Sequence, residues 1–106
     1  AALVASGVVP LAHSNDGGGS TRIPASCCGN VGLKTSRGRV SLGPIMSDIT
    51  SPLINEGCNS KTVRDTAAFL DVVSKPAKGE GILNNFANES FLEIMEKSPK
   101  KYKKLK

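Results

Sequence analysis

Tryptophan is absent from this chain, and its only aromatic residues are Phe69, Phe86, Phe91 and Tyr102. Any core must therefore be built from Val, Ile, Leu and Ala. With 106 residues that core is small, because a short chain buries a smaller share of its surface than a large domain does. The scarcity of aromatics also speaks against nucleic acid as a partner, since single-strand binding joins a basic groove to stacking rings. Cysteine is sparse too. Cys27, Cys28 and Cys58 are odd in number and two of them are adjacent, which argues against a disulfide framework. No Cys-x-x-Cys spacing occurs and His13 is the sole histidine, so no metal site is expected. Reduced thiols suit a cytoplasmic protein. Residues 1–11 form an apolar run with no basic flank, far too short to span a bilayer, and no membrane role is expected.

Acidic residues are missing from one place in particular. Lys97, Lys100, Lys101, Lys103, Lys104 and Lys106 all fall within residues 97–106, where there is no Asp or Glu. The formal net charge of +5 comes from this tail, because the rest of the chain holds eight basic and nine acidic residues. The high pI thus describes a solvated end and not a basic domain. The chain also has no initiator Met, starts inside an apolar run and ends in lysines; the expectation is a piece of a longer protein.

What is present reads as α/β. Residues 1–6 look like the end of a helix, stopped by Gly7. The apolar run 8–12, bounded by Gly7 and by Asn15-Asp16-Gly17, reads as a buried strand. Residues 24–28 are expected to form a short helix with Pro24 in its first turn, ended by Gly29-Asn30. A second strand is expected at 31–34, beside the first, and a polar turn at 36–41. Residues 43–57 show no sustained period and read as loop. The spacing of Val63, Ala67, Leu70 and Val73 puts them on one helix face, which predicts a helix over 60–74 capped by Asn59 or Ser60 and ended by Pro76. Residues 75–81 read as a breaker-rich loop. A second amphipathic helix is expected at 89–97, with Phe91, Leu92 and Met95 inward and Ser98-Pro99 as its stop. This order suits a fragment of a layered α/β sandwich.

The most informative segment is the loop Asn15-Asp16-Gly17-Gly18-Gly19-Ser20. Glycines let backbone amides converge without a Cβ in the way. Converging amides bind negative charge, either a phosphate or the transient oxyanion of acyl transfer. A phosphate- or nucleotide-binding module would need a lysine in the loop or a Gly-x-Gly-x-x-Gly spacing. No lysine precedes Lys34, and Gly17-Gly18-Gly19-Ser20-Thr21-Arg22 fails at the last glycine. Ser20, directly after the glycines, adds a hydroxyl able to attack a carbonyl whose oxygen the amides then hold. A plain tight turn remains the bland alternative.

The longer stretch Asp16-Gly17-Gly18-Gly19-Ser20-Thr21-Arg22-Ile23-Pro24-Ala25-Ser26, then Gly29 and Val31-Gly32-Leu33-Lys34, resembles the signature segment of the amidase-signature family. So do Arg37-Gly38-Arg39-Val40-Ser41 and the helix Val63-Arg64-Asp65-Thr66-Ala67-Ala68-Phe69-Leu70-Asp71. The resemblance covers most of residues 1–75, with a weaker echo at 91–101. The form Ala12-His13-Ser14-Asn15-Asp16 before the glycines looks most like the branch of cyclic amide hydrolases acting on nylon oligomers. The resemblance implies a partial amidase-signature domain over 1–106, with the nucleophile loop at 15–22, taken from a three-layer α/β/α sandwich with a mixed central sheet. It implies amide hydrolysis through a Ser-Ser-Lys triad without a cofactor, on a small-molecule amide. Ser20 matches the nucleophile, and the amides of Gly17, Gly18, Gly19 and Ser20 match the oxyanion hole. The family's second serine, in a Gly-Ser-Ser-Gly-Gly stretch on a cis peptide, and its lysine match positions before Ala1, in the remainder of a parent amidase chain. The chain alone is then expected to be inactive. A phosphate-binding module and a non-catalytic structural remnant stand as the other readings.

Single residues weigh in both directions. Asp16 and Arg22 are expected to brace the loop by opposite charge; otherwise they are ordinary polar residues at a turn. His13 reads as a structural residue at a strand end and not as a general base. Cys27 and Cys28 read as core packing and not as thiol nucleophiles. Ser26 and Ser41 read as turn and cap residues. Lys34 falls at a different place from the family's lysine and is not assigned to the triad. Thr35 departs from the proline usual after Gly-Leu-Lys, and Asn59-Ser60-Lys61 departs mildly from the family's approach to its helix.

Overall fold

A computed structural model describes residues 1–43, 53–75 and 89–97. The elements in chain order are α1 (Ala2–Ala5), β1 (Leu11–Asp16), α2 (Arg22–Cys28), β2 (Val31–Gly32), β3 (Asn55–Ser60), α3 (Val63–Val73) and α4 (Phe91–Lys97). The expected basic tail beyond Lys97, the stops at Pro76 and Ser98-Pro99, and most of the loops expected at 43–57 and 75–81 lie outside the described residues.

The first strand lies later than its apolar run suggests. Val8 and Val9 belong to the end of α1, where Gly7 turns at φ 78° and the amides of both valines donate to the Leu3 carbonyl, at 3.0 and 3.4 Å. Val8 is exposed. The strand proper includes Ser14, Asn15 and Asp16, which read as loop, because they pair with an equally polar partner. That partner, β3, begins within the loop expected at 43–57 and ends at Ser60, where a helix was expected to start. It runs antiparallel to β1 in the register Leu11↔Ser60 to Asp16↔Asn55. It also pairs antiparallel with β2, Val31 opposite Ser60. The sheet order is β1-β3-β2, so the two strands expected to be neighbours are separated by a third. The second of them is also shorter than 31–34.

Alternation along the strands sends helices to both faces. Ser14 and Asn59 sit on the face covered by α2. There the Ser14 and Thr21 hydroxyls lie 2.8 Å apart and Asn59 Nδ2 donates to Ser14 Oγ at 3.2 Å. Gly32 is on this face too. A Cβ there would lie 2.5 Å from Ala25 Cβ and 2.9 Å from the Thr21 carbonyl oxygen, so glycine is what lets α2 rest on β2. The other face receives α3, with Ser60 Oγ 2.7 Å from Thr66 Oγ1. The result is helix, sheet, helix, the layering expected. All described pairings are antiparallel. The buried apolar residues are Val4, Ala25, Cys58, Ala67 and Leu70.

Helix ends follow local chemistry. In α2, Pro24 stands in the first turn and Gly29 closes the helix in the left-handed region at φ 65°; Ser26, expected at a turn, is inside this helix. In α3 the cap is Thr62, whose Oγ1 accepts the Asp65 amide at 3.1 Å. The expected caps Asn59 and Ser60 are in β3 instead. Ala67 and Leu70 are buried as expected, while Val63 is exposed. The start of α4 is held by α3. Asp71 accepts the amides of Phe91 and Leu92 at 2.6 and 3.1 Å and the Ser90 hydroxyl at 2.5 Å, and these bonds hold its carboxyl below the usual range against the opposing effect of burial. Phe91, Leu92 and Met95 are half-buried.

Candidate active site

The glycine loop joins the end of β1 to the start of α2. Gly19 is the member of the glycine run that needs to be glycine for backbone reasons: its φ is 121°, and a Cβ there would lie 2.6 Å from Ile23 Cδ1. Its carbonyl accepts the Ile23 amide at 2.8 Å, which starts the helical turn. Ser20 stands at the tip, exposed.

Asp16 organises this loop from beneath. It is only 1% exposed, and its carboxylate is surrounded by donors. Oδ1 accepts from the Gly19 amide at 2.7 Å, Arg22 Nη2 at 3.1 Å and Lys34 Nζ at 3.3 Å. Oδ2 accepts from Arg22 Nε at 2.9 Å and from the amides of Thr21 and Arg22 at 3.3 and 3.4 Å. The Arg22 contact is bidentate, the strong form of such a pair. Arg22 is the largest influence holding the Asp16 carboxyl well below the usual carboxylate range. Burial pushes the other way but is the smaller effect, and the Gly19 amide, Lys34 and the Arg22 amide add to the lowering. In return the Arg22 guanidinium is pushed up. The opposite charges of Asp16 and Arg22 thus meet directly at the foot of the loop.

Four loop amides were expected to converge. That of Gly19 is engaged by Asp16. Those of Gly17, Gly18 and Ser20 donate to no acceptor among the described residues, and neither does the Ser20 hydroxyl. These three N–H groups and the Ser20 hydroxyl lie within one short stretch of the loop.

Lys34 is the site residue that sequence reasoning missed. Its ammonium reaches under the loop to the carbonyls of Asp16 at 2.8 Å, Gly17 at 3.2 Å and Leu53 at 2.7 Å, besides Asp16 Oδ1. No side-chain pattern marks it, because three of its four acceptors are backbone carbonyls. Thr35 is buried, and its hydroxyl donates to the Glu56 carbonyl at 3.1 Å. His13 lies on the same face as Cys58 and Ser60, exposed, its Nε2 2.6 Å from Glu56 Oε2, a diagonal cross-strand pair. Of the thiols, Cys28 is half-buried but Cys27 is exposed, so Cys27 does not pack as expected. The buried thiol is Cys58, which burial pushes up. Ser41 does serve a turn, accepting the Gly43 amide at 3.0 Å. Among the described residues no group of three or more His, Cys, Asp or Glu converges as metal ligands. No helix there is long and apolar enough to cross a membrane.

The Asp16 cluster makes a prediction on its own. Asp16→Asn keeps the size but turns one oxygen into a donor facing three donors, whichever way the amide lies. The loop is then expected to lose its anchor, at a cost to folding of about 1–3 kcal/mol for a buried donor left unpaired. A pH effect accompanies it. The folded carboxyl titrates below its ordinary 3.8, so its stabilisation is full above that pH and is lost as pH falls through the lower folded value. Thermal melts between about pH 2 and pH 5 check this: the variant melts lower at neutral pH and shows a shallower decline with acid. Equal acid slopes in the two proteins would remove Asp16 from this role.

The family model described as Amidase matches residues 1–104. A putative amidase, AmiC, of Mycobacterium tuberculosis is 60% identical over 68 residues, covering 64% of this chain and 14% of AmiC. The solved structure of 6-aminohexanoate cyclic dimer hydrolase superposes with a TM-score of 0.80 at 43% identity, covering 92% of this chain and 21% of that one. A bacterial aryl acylamidase of the amidase-signature family gives a TM-score of 0.73 at 33% identity, covering 89% and 19%. This chain belongs to the amidase family and has a part of its α/β fold. It spans between 14% and 21% of the length of these relatives.

Proposed function

We propose that this chain carries the nucleophile and oxyanion loop of an amidase, a hydrolase that cleaves carboxamide C–N bonds through an acyl-enzyme on Ser20. The observation that carries the reading is the free Ser20 hydroxyl beside unspent amides on a loop anchored by Asp16, Arg22 and Lys34. In the first step Ser20 Oγ bonds to the substrate carbonyl carbon as its proton passes to a base. The carbonyl oxygen, now negative, is held by the amides of Gly17, Gly18 and Ser20. The C–N bond breaks as the amine leaves with a proton, and water then releases the acid from the serine ester. The base is the family's lysine acting through its cis-serine, supplied by the remainder of the parent amidase chain; no cofactor takes part. The segment 1–106 is then a partial domain with the nucleophile loop at 15–22. Linear or cyclic amides are the substrate class. The unpaired thiols of Cys27, Cys28 and Cys58 suit a cytoplasmic setting.

The same amides would suit a phosphate, but Lys34 turns its charge under the loop and not toward the tip. The complete chain, treated with a serine-directed fluorophosphonate and separately titrated with a nucleotide, separates the readings. Labelling at Ser20 is expected, without nucleotide binding. Nucleotide binding with Ser20 unlabelled would reverse the assignment.

A further inference from the structure

We infer that Lys34 is a positioning residue that aims the oxyanion amides of Gly17 and Gly18, an inference that rests on the function proposed above. The argument begins with the peptide unit, which is planar and trans, so that its C=O and N–H point in opposite directions. Holding a carbonyl on one side of a chain therefore fixes the following residue's N–H on the other. Lys34 Nζ holds the Asp16 carbonyl at 2.8 Å and the Gly17 carbonyl at 3.2 Å. The amides sharing those two peptide units are those of Gly17 and Gly18, and both are without an acceptor among the described residues. The third free amide, that of Ser20, shares its peptide unit with the Gly19 carbonyl, which the Ile23 amide holds at 2.8 Å. Each unspent amide thus has a captured carbonyl behind it, two by Lys34 and one by the first turn of α2. The amide of Gly19 is the exception: it faces inward to Asp16.

The ammonium has no capacity for another task. It carries three N–H bonds and has four oxygens around it, from Asp16, Gly17 and Leu53, between 2.7 and 3.3 Å. It is about four-fifths buried, with its side chain 21% exposed. A cation so enclosed neither takes the serine proton nor reaches a ligand at the loop tip. Glycine makes such a device necessary: Gly17 and Gly18 have freedom to rotate their peptide planes, and a Cβ at Gly18 would meet nothing within 4 Å. Without an external hold the planes of these residues are free to turn over.

The test uses the complete amidase chain carrying Lys34→Met or the gentler Lys34→Gln, with rates normalised to the folded fraction. Lys34→Met is expected to lower kcat by about 10²-fold and Lys34→Gln by about tenfold, with KM unchanged within about threefold. Affinity for a trifluoromethyl ketone, which forms a tetrahedral oxyanion adduct on the serine, is expected to fall in parallel with kcat/KM. A merely structural lysine would not link those two losses. Folded Lys34→Gln with normal kcat, or with ketone affinity unchanged, overturns the inference. So does failure of both variants to fold, which would assign Lys34 to the fold and not to the site. Ser20→Ala is run beside them. An active Ser20→Ala enzyme overturns the proposed function itself; an inactive one beside an unaffected Lys34→Gln overturns only the role of Lys34.

Discussion

Ser20→Ala in the complete amidase chain lowers kcat by about 10⁶-fold while leaving KM within a small factor, the size of loss seen when a serine nucleophile is deleted from a triad. The expectation rests on what surrounds the residue. Its side chain is exposed at the loop tip and packs in no core, so truncation removes one hydroxyl and leaves no cavity. The carboxylate cluster beneath it involves Gly19, Thr21, Arg22 and Lys34 but no atom of the Ser20 side chain. The variant should therefore melt at the wild-type temperature and still bind substrate. Steady-state kinetics on an aryl amide, with a melt on the same sample, checks both halves. A loss of tenfold or less would mean that another group attacks the carbonyl, and the acyl-enzyme reading would fall.

The sequence carried the family and the layered α/β fold more legibly than the pairing of the strands. The glycine run, Ser20 and the opposite charges of Asp16 and Arg22 are adjacent along the chain, and a tight loop brings adjacent residues together by itself. The bidentate bond from Arg22 to Asp16 is that local closure. The helix over 60–74 was also legible, because Ala67 and Leu70 face the sheet at helical spacing. What failed was the placing and pairing of the strands, which depend on partners distant in sequence. Asn55–Ser60 alternates no apolar residues, yet it is the central strand of the described sheet. Most of its polar side-chain atoms are bonded from elsewhere: Asn59 Nδ2 to Ser14, Ser60 to Thr66 and Asn55 to the Thr35 carbonyl, while Asn59 Oδ1 is buried with no partner among the described residues. A polar strand in a sheet is affordable only when such bonds exist, and no local pattern announces them. The displaced start of β1 has the same origin, since register with β3 sets it and the apolar run 8–12 does not. Lys34 was passed over for a related reason. Its role lies in bonds to carbonyls, which have no signature in side-chain chemistry.

The purified 106-residue chain is expected to hydrolyse simple aryl amides and esters at a rate close to background. A serine hydroxyl is a weak nucleophile until a base removes its proton, and among the described residues none is placed to do so. His13 Nε2 is committed to Glu56 at 2.6 Å, on the face of the sheet opposite to that of Ser14 and α2. The Asp16 carboxylate is surrounded by six donors and sits beneath the loop. The Lys34 ammonium is saturated by oxygens. What remains is the amides, which act on the developing charge without a base; a triad stripped of its members keeps about 10³-fold over water by that route. Even this amount requires a rigid loop, and the layers around it are open. Both β1 and β2 are edges of the described sheet, and unpaired edges invite association. A groove of about 340 Å³ between α3 and α4, lined by Leu33, Val63, Leu70, Phe91, Ile94 and Met95, adds exposed apolar surface. The chain should therefore be prone to aggregate, and its amides less well held than in the complete protein. Assaying it beside its Ser20→Ala variant decides the matter. Turnover more than about 10³-fold above the uncatalysed rate, lost in the variant, would place a base within this segment and move the triad.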